Sequence, residues 1–116
     1  MINEIDIFKA LGEENRFRAV ALLVKSKREL CACELIAAME KPQYTVSKSM
    51  GTLVSAGIVE ERREGKMMFY RLRTEDSVVS SIILTVSIIT GGKDYQWKAD
   101  FSRLPVCASS AAACRG

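Results

Sequence analysis

Pro42 divides a stretch that is otherwise helix-forming throughout, and soon after it the chain changes period. Before it, "ACELIAAME" (32–40) consists of good helix formers with Leu35, Ile36 and Met39 on one face. Proline lacks an amide hydrogen and biases Lys41 away from helical angles, so that helix must stop. "QYTVSKSMGTLVSA" (43–56) resumes helical spacing through Val46, Met50, Leu53 and Val54 until Gly57 offers a cap. From residue 58 the pattern is that of two short strands, 58–63 and 67–72, joined through Glu64, Gly65 and Lys66 as a hairpin. Helix, tight break, helix and hairpin within about 45 residues define a mainly α fold with a β-hairpin wing, a winged helix-turn-helix.

The flanks are helical. Residues 2–11 place Ile2, Ile5, Phe8 and Leu11 at helical spacing before Gly12. A second helix opens on Glu13 and Glu14, carries Phe17, Val20, Ala21 and Val24 on one stripe, and ends in the basic run 25–28. A last helix has Thr74 as its expected N-cap and runs through "SVVSSIILTVSII" to Gly91. Val78, Ile82, Val86 and Ile89 form one apolar stripe there, and Val79, Ile83 and Leu84 form a second. One small core buries only one such surface, so the second predicts a homodimer interface. At about 14 residues with interspersed Ser and Thr, the segment is too short and polar to cross a bilayer. These elements give a domain over 1–92 and a tail over 93–116, in which Tyr95, Trp97 and Phe101 are spaced to dock on the body. Beyond Pro105 the tail is Ala/Ser-rich, with the expectation of flexibility, and carries Cys107 and Cys114.

Charge and thiols narrow the function. Residues 41–73 carry seven basic and three acidic side chains, a segment of +4 on a chain of +3. Such a segment suits an anionic partner. In a helix-turn-helix the second helix enters the major groove by its N-terminal half, which here presents Gln43, Thr45, Ser47, Lys48 and Ser49. Gln pairs with adenine edges, Ser and Thr serve bases or phosphates, and Lys neutralises a phosphate. Arg62, Arg63 and Lys66 on the wing suit the adjacent backbone or minor groove. The expected partner is double-stranded operator DNA.

No secretory signal opens the chain, so a cytoplasmic location is expected. In that compartment, four cysteines at spacings of two, 74 and seven residues read as ligands or reactive thiols rather than as a disulfide framework. The chain has no histidine, which removes imidazole catalysis and every His-containing zinc site. The Cys-x-Cys pair lacks the βαβ setting of a thiol oxidoreductase, so no enzyme is expected.

"FKALGEENRFRAVALL", "ELCACEL" and "YTVSKSMGTLVSAGIVEERREGKMMFYRL" resemble successive signature segments of the ArsR/SmtB winged-helix metalloregulators, over roughly residues 6–92. The resemblance implies a homodimeric repressor that leaves operator DNA when an inducer binds, with 43–56 as the DNA-reading helix and the first and last helices dimerising. The arsenic-responsive members carry a third cysteine one turn along the helix that follows ELCxC; here that place is Ile36. The family's other zinc site, on the last helix, needs histidines and is not expected here despite Asp76.

Inside a helix, residues two apart diverge by about 200°, so Cys31 and Cys33 can share an ion only where the helix start reorganises. The helix dipole together with Lys27 and Arg28 would favour thiolates. Gripping one ion is then expected to deform the first turn of the helix that supports the DNA-reading helix. Thiolates select soft or borderline ions. With a third ligand from Cys107 or Cys114, in the same or the partner subunit, the site is a trigonal As(III) or Sb(III) centre. With both, it suits Cd(II), Pb(II) or Zn(II). Redox or persulfide chemistry at the same thiols is the remaining alternative.

Overall fold

Asn3 caps α1 (Glu4–Leu11), its side-chain oxygen accepting the amides of Ile5 and Asp6. The computed structural model describes residues 3–92 and 95–104. Glu13 caps α2 (Glu14–Ser26) in the same way through the amides of Asn15 and Arg16. This helix is the axis of the core, with every residue from 18 to 24 buried. It ends on Lys27 in the left-handed region (φ 55°). The chain then runs through β1 (Leu30–Cys31) into α3 (Ala32–Met39).

The break around Pro42 has a definite geometry. Glu40 closes α3 in the left-handed conformation (φ 55°), and Pro42, extended at ψ 155°, is the N-cap of α4 (Gln43–Ser55). Proline suits this position because the amide it lacks would have no intrahelical acceptor. After α4, Gly57 (φ 84°) turns the chain into β2 (Val59–Glu64). β2 pairs antiparallel with β3 (Met67–Leu72) from Val59↔Leu72 to Glu64↔Met67. The hairpin turn is therefore two residues, Gly65 and Lys66, one shorter than expected, and Gly65 (φ 63°) supplies the positive angle that such turns need. β1 adds to the far side of β3 through Leu30↔Tyr70 and Cys31↔Phe69, giving the order β1-β3-β2. The structure is thus a helix-turn-helix with a wing, as the pattern around Pro42 implies.

α5 (Ser77–Thr90) departs in detail from its expected form. Its N-cap is Asp76, whose carboxylate accepts the amides of Val78 and Val79, while Thr74 offers only its carbonyl, to Ser80. A charged acceptor is the stronger cap at the positive end of a helix. The buried stripe is Val79, Ile82, Val86 and Thr90. Ile89 lies outside it at 50 % exposure, as do Leu84 and Ile88 at 67 % and 79 %. With Ile5 and Phe8 of α1, each 65 % exposed, large apolar side chains on two helices are left uncovered by the chain's own core.

The body continues past residue 92. Tyr95 and Trp97 form a three-ring cluster with Phe17, ring centroids 6.1–6.4 Å apart, as the aromatic spacing suggested. A short helix α6 (Lys98–Ser102) follows, and Leu104 is buried. Asp100 receives two hydrogen bonds from Arg18, at 2.8 and 2.9 Å. Arg18 also donates to the Met39 carbonyl at 2.8 Å, and Arg103 donates to that of Ala38 at 2.8 Å. These are carbonyls at the C-terminal end of α3, which a helix leaves without intrahelical partners. The Asp100 contacts push the Arg18 guanidinium above its ordinary range, and burial pushes the Tyr95 phenol up to about 12. Replacing Asp100 by Ala removes two of the short contacts of the buried Arg18 and leaves it the Met39 carbonyl and the Glu14 carboxylate at 3.5 Å, a change that costs about 2 kcal/mol or more. Urea denaturation of Asp100→Ala is expected to show that loss; a change under about 0.5 kcal/mol, ordinary for a surface site, would contradict the description of this pair.

Candidate thiol site and nucleic-acid interface

The first turn of α3 explains how two cysteines at spacing two come together. Cys31 is the N-cap, with extended backbone (φ −90°, ψ 163°), and Cys33 is the second helical residue. Because Cys31 is still on the strand, the divergence of about 200° that holds inside a helix does not apply. The two Sγ atoms lie 2.8 Å apart with the first turn of the helix intact.

Glu34 holds this turn. Its side chain is fully buried; Oε1 accepts the Cys31 amide at 3.0 Å and Oε2 accepts Arg28 Nη2 at 2.9 Å. Arg28, expected to favour thiolate formation, is thus engaged with a carboxylate. Cys31 is 1 % exposed, whereas Cys33 is open to solvent. Among the described residues no group of three or more Cys, Asp or Glu side chains could hold a metal ion. Cys107 and Cys114 lie outside the described residues.

The sulfurs open onto a cleft of about 620 Å³ between α3, the start of α4 and the wing. Cys31, Cys33 and Ile36 form one wall, Gln43 and Ser47 of α4 a second, and the wing's Arg63, Lys66, Met67, Met68 and Tyr70 a third. The thiol pair and four of the expected DNA-contacting side chains, Gln43, Ser47, Arg63 and Lys66, thus share one cavity.

The expected DNA-facing residues divide into three groups. Gln43, Ser47 and Lys48 are exposed on α4, and Thr45 is half-buried. Ser49 is different: it is 6 % exposed, adjoins the inward positions Val46, Met50 and Leu53, and lines a shallow surface pocket with Tyr44, Thr45 and Lys48. On the wing, Lys66 is in the turn and Arg63 points into the cleft. Arg62, one residue away on a strand, faces the opposite side. Its guanidinium lies 4.6 Å from the Phe69 ring centroid and donates to both carboxylate oxygens of Glu29. Arg71 and Arg73 similarly pair with Glu60 and Glu75. Among the described residues, Lys48, Arg63 and Lys66 enter no such ion pair. Sequence reasoning omitted Tyr44, 75 % exposed on the first turn of α4 beside Ser47 and Lys48; its aromatic side chain just after the Pro42 break was the available signal.

Comparisons with known proteins agree with this architecture. Residues 13–61 match the model of the bacterial regulatory protein, arsR family. The chain is 38 % identical to an arsenic resistance transcriptional regulator of Pseudomonas putida, over 86 % of this chain and 84 % of the relative. It is 33 % identical, over 60 % of this chain and 56 % of the relative, to a cadmium resistance regulatory protein CadC homolog of Staphylococcus aureus. The homodimeric winged helix-turn-helix domain of a possible ArsR-family regulator from Mycobacterium bovis superposes with a TM-score of 0.62 at 26 % identity, covering 75 % of this chain and 77 % of that one. No helix of the described residues is long and apolar enough to cross a membrane. With its winged helix-turn-helix and the length of its match to a full-length regulator, the chain belongs to the arsR family of bacterial regulatory proteins, DNA-binding transcriptional regulators rather than enzymes.

Proposed function

We propose that this chain is a metalloid-responsive repressor, binding operator DNA as a homodimer and releasing it when As(III) or Sb(III) is held by Cys31, Cys33 and a third thiolate from Cys107 or Cys114. One observation carries the reading: the two sulfurs meet at a cleft whose other walls are the start of α4 and the wing. An inducer bound there touches the DNA-reading surface itself. The arsenic resistance regulator among the relatives supports the choice of ion.

Duplex contact is assigned to Gln43, Tyr44, Thr45, Ser47 and Lys48 on α4 and to Arg63 and Lys66 on the wing; Arg62 would have to leave Glu29 to join them. The uncovered Ile5, Phe8, Leu84, Ile88 and Ile89 support a homodimer through α1 and α5. Such a dimer presents two α4 helices to half-sites about one DNA turn apart. Two alternatives keep the fold. If both tail cysteines join, the four-thiolate set suits Cd(II) or Pb(II), a reading in keeping with the cadmium resistance relative. The 2.8 Å sulfur separation also favours a redox or persulfide switch, in which a disulfide or polysulfide replaces the ion.

Three outcomes are expected. Lys48→Ala and Lys66→Ala each weaken operator binding and reduce the slope of log K against log salt by about 1; an unchanged slope in both would remove them from the interface. Cys33→Ser binds operator within about twofold of wild type yet no longer releases it with arsenite, in a fluorescence anisotropy titration; persistent release would exclude the thiol site. Ile88→Arg shifts the sedimentation coefficient to that of a monomer, and an unshifted dimer would place the interface elsewhere.

A further inference from the structure

A second cavity, of about 330 Å³, lies between the C-terminal end of α2, the end of β3 and α5. It shares no lining residue with the thiol cleft: Tyr70 of β3 lines that cleft and its neighbour Arg71 this cavity. The floor is hydrocarbon, from Leu23 and Val24 of α2, Leu72 of β3 and Ile83 of α5. Its volume is at the small end of pockets that take organic ligands, with room for roughly ten non-hydrogen atoms. None of the uncovered side chains assigned to the dimer, Ile5, Phe8, Leu84, Ile88 and Ile89, lines it.

The rim decides the ligand's charge. Three of its charged side chains are matched: Arg28 with Glu34, Glu29 with Arg62, and Arg71 with Glu60 and Glu75. Lys27 is exposed, and among the described residues its ammonium enters no ion pair or hydrogen bond. The end of α2 fixes where it stands, since Lys27 takes the left-handed conformation with its amide bonded to the Leu23 carbonyl at 3.2 Å. Thr74 adds a hydroxyl at the same rim. Asp76 displaces it as the cap of α5, and among the described residues its side chain makes no hydrogen bond. A hydrocarbon floor beneath one unmatched cation and one free hydroxyl complements a single negative charge on an apolar body. A carboxylate supplies that charge together with acceptors for both groups, and its hydrogen bond with an ammonium is of the stronger, charge-assisted kind.

We propose that this cavity binds a small organic monocarboxylate, its alkyl or aryl portion on Leu23, Val24, Leu72 and Ile83 and its carboxylate on Lys27 and Thr74. It is a second ligand site, separate from the thiols and in contact with both the wing strand β3 and the helix assigned to the dimer.

The test titrates the isotope-labelled full chain, thiols reduced, with phenylacetate and follows the backbone amides by two-dimensional NMR. Phenylacetamide, the neutral isostere, and acetate, a carboxylate without the apolar body, are the comparison probes. Phenylacetate is expected to shift the amides of Lys27, Thr74 and Ile83 saturably, with a Kd of about 1 mM or below, and to leave those of Cys33 and Ser47 in place. Phenylacetamide and acetate bind at least tenfold more weakly. Lys27→Gln lowers the affinity for phenylacetate at least fivefold, towards that of the amide, and Ile83→Gln lowers it similarly. If the half-buried Ile83 variant fails to fold, the exposed Lys27 variant decides alone. The proposal is overturned by the absence of saturable shifts at Lys27, Thr74 and Ile83, by equal binding of phenylacetate and phenylacetamide, or by unchanged affinity in Lys27→Gln. Shifts centred instead on Cys33 and Ser47 would overturn it too, by placing the ligand in the thiol cleft. Each of these results leaves the thiol-based reading of operator release standing.

Discussion

The two hydrogen bonds accepted by Glu34 fix the part of the molecule on which everything functional depends. One holds the Cys31 amide and the other Arg28, so a fully buried carboxylate, expensive to desolvate alone, is compensated at both oxygens. The result is an abrupt change from strand to helix at Cys31. A cysteine one residue further into a regular helix would project away from its neighbour; at the N-cap it meets it. The capping carboxylate is therefore what makes a Cys-x-Cys sequence into a sulfur pair, and it leaves the pair facing the cleft to α4 and the wing.

The other end of α3 is held by a second charged network. An eight-residue helix is marginal by itself in water, and here the carbonyls of Ala38 and Met39 are taken by Arg103 and Arg18, with Asp100 joining the two arginines. α3 is thus secured at its start by Glu34 and at its end by groups from α2 and from the segment that leads into the tail. In the proposed mechanism a ligand on the sulfurs acts on a short rod fixed at both ends. Its most direct effect is then local, on the side chains of α4 and the wing across the cleft, rather than on the helix backbone.

Much of this fold was legible because its turning points are chemically distinct. Pro42, Gly57 and Gly65 each sit where their particular backbone freedom or restriction is used, and the change from helical to strand period lies between them. The register of α5 was less legible: its apolar residues, interrupted by Ser and Thr, form two adjoining stripes, and the burial of Val79 and Thr90 rather than Val78 and Ile89 is settled by packing on α2. α6 has only five residues, too few for a periodic signal, although the ring cluster preceding it was anticipated. At the site, the identity of the thiol pair was readable but its geometry was not, since helical spacing was assumed at a residue that is extended. Which basic side chains remain available was equally hidden. Arg62 and Lys48 look alike in sequence, and only the fold brings Glu29 beside the first.

Family membership, the wing and the helix-turn-helix establish a DNA-binding regulator; the ion and its coupling to release are the proposal. The coupling is tested most directly by operator affinity of the same wild-type preparation, arsenite-free and arsenite-loaded, at one salt concentration. The account predicts that loading weakens operator binding at least tenfold. Equal affinity of the two forms would contradict it.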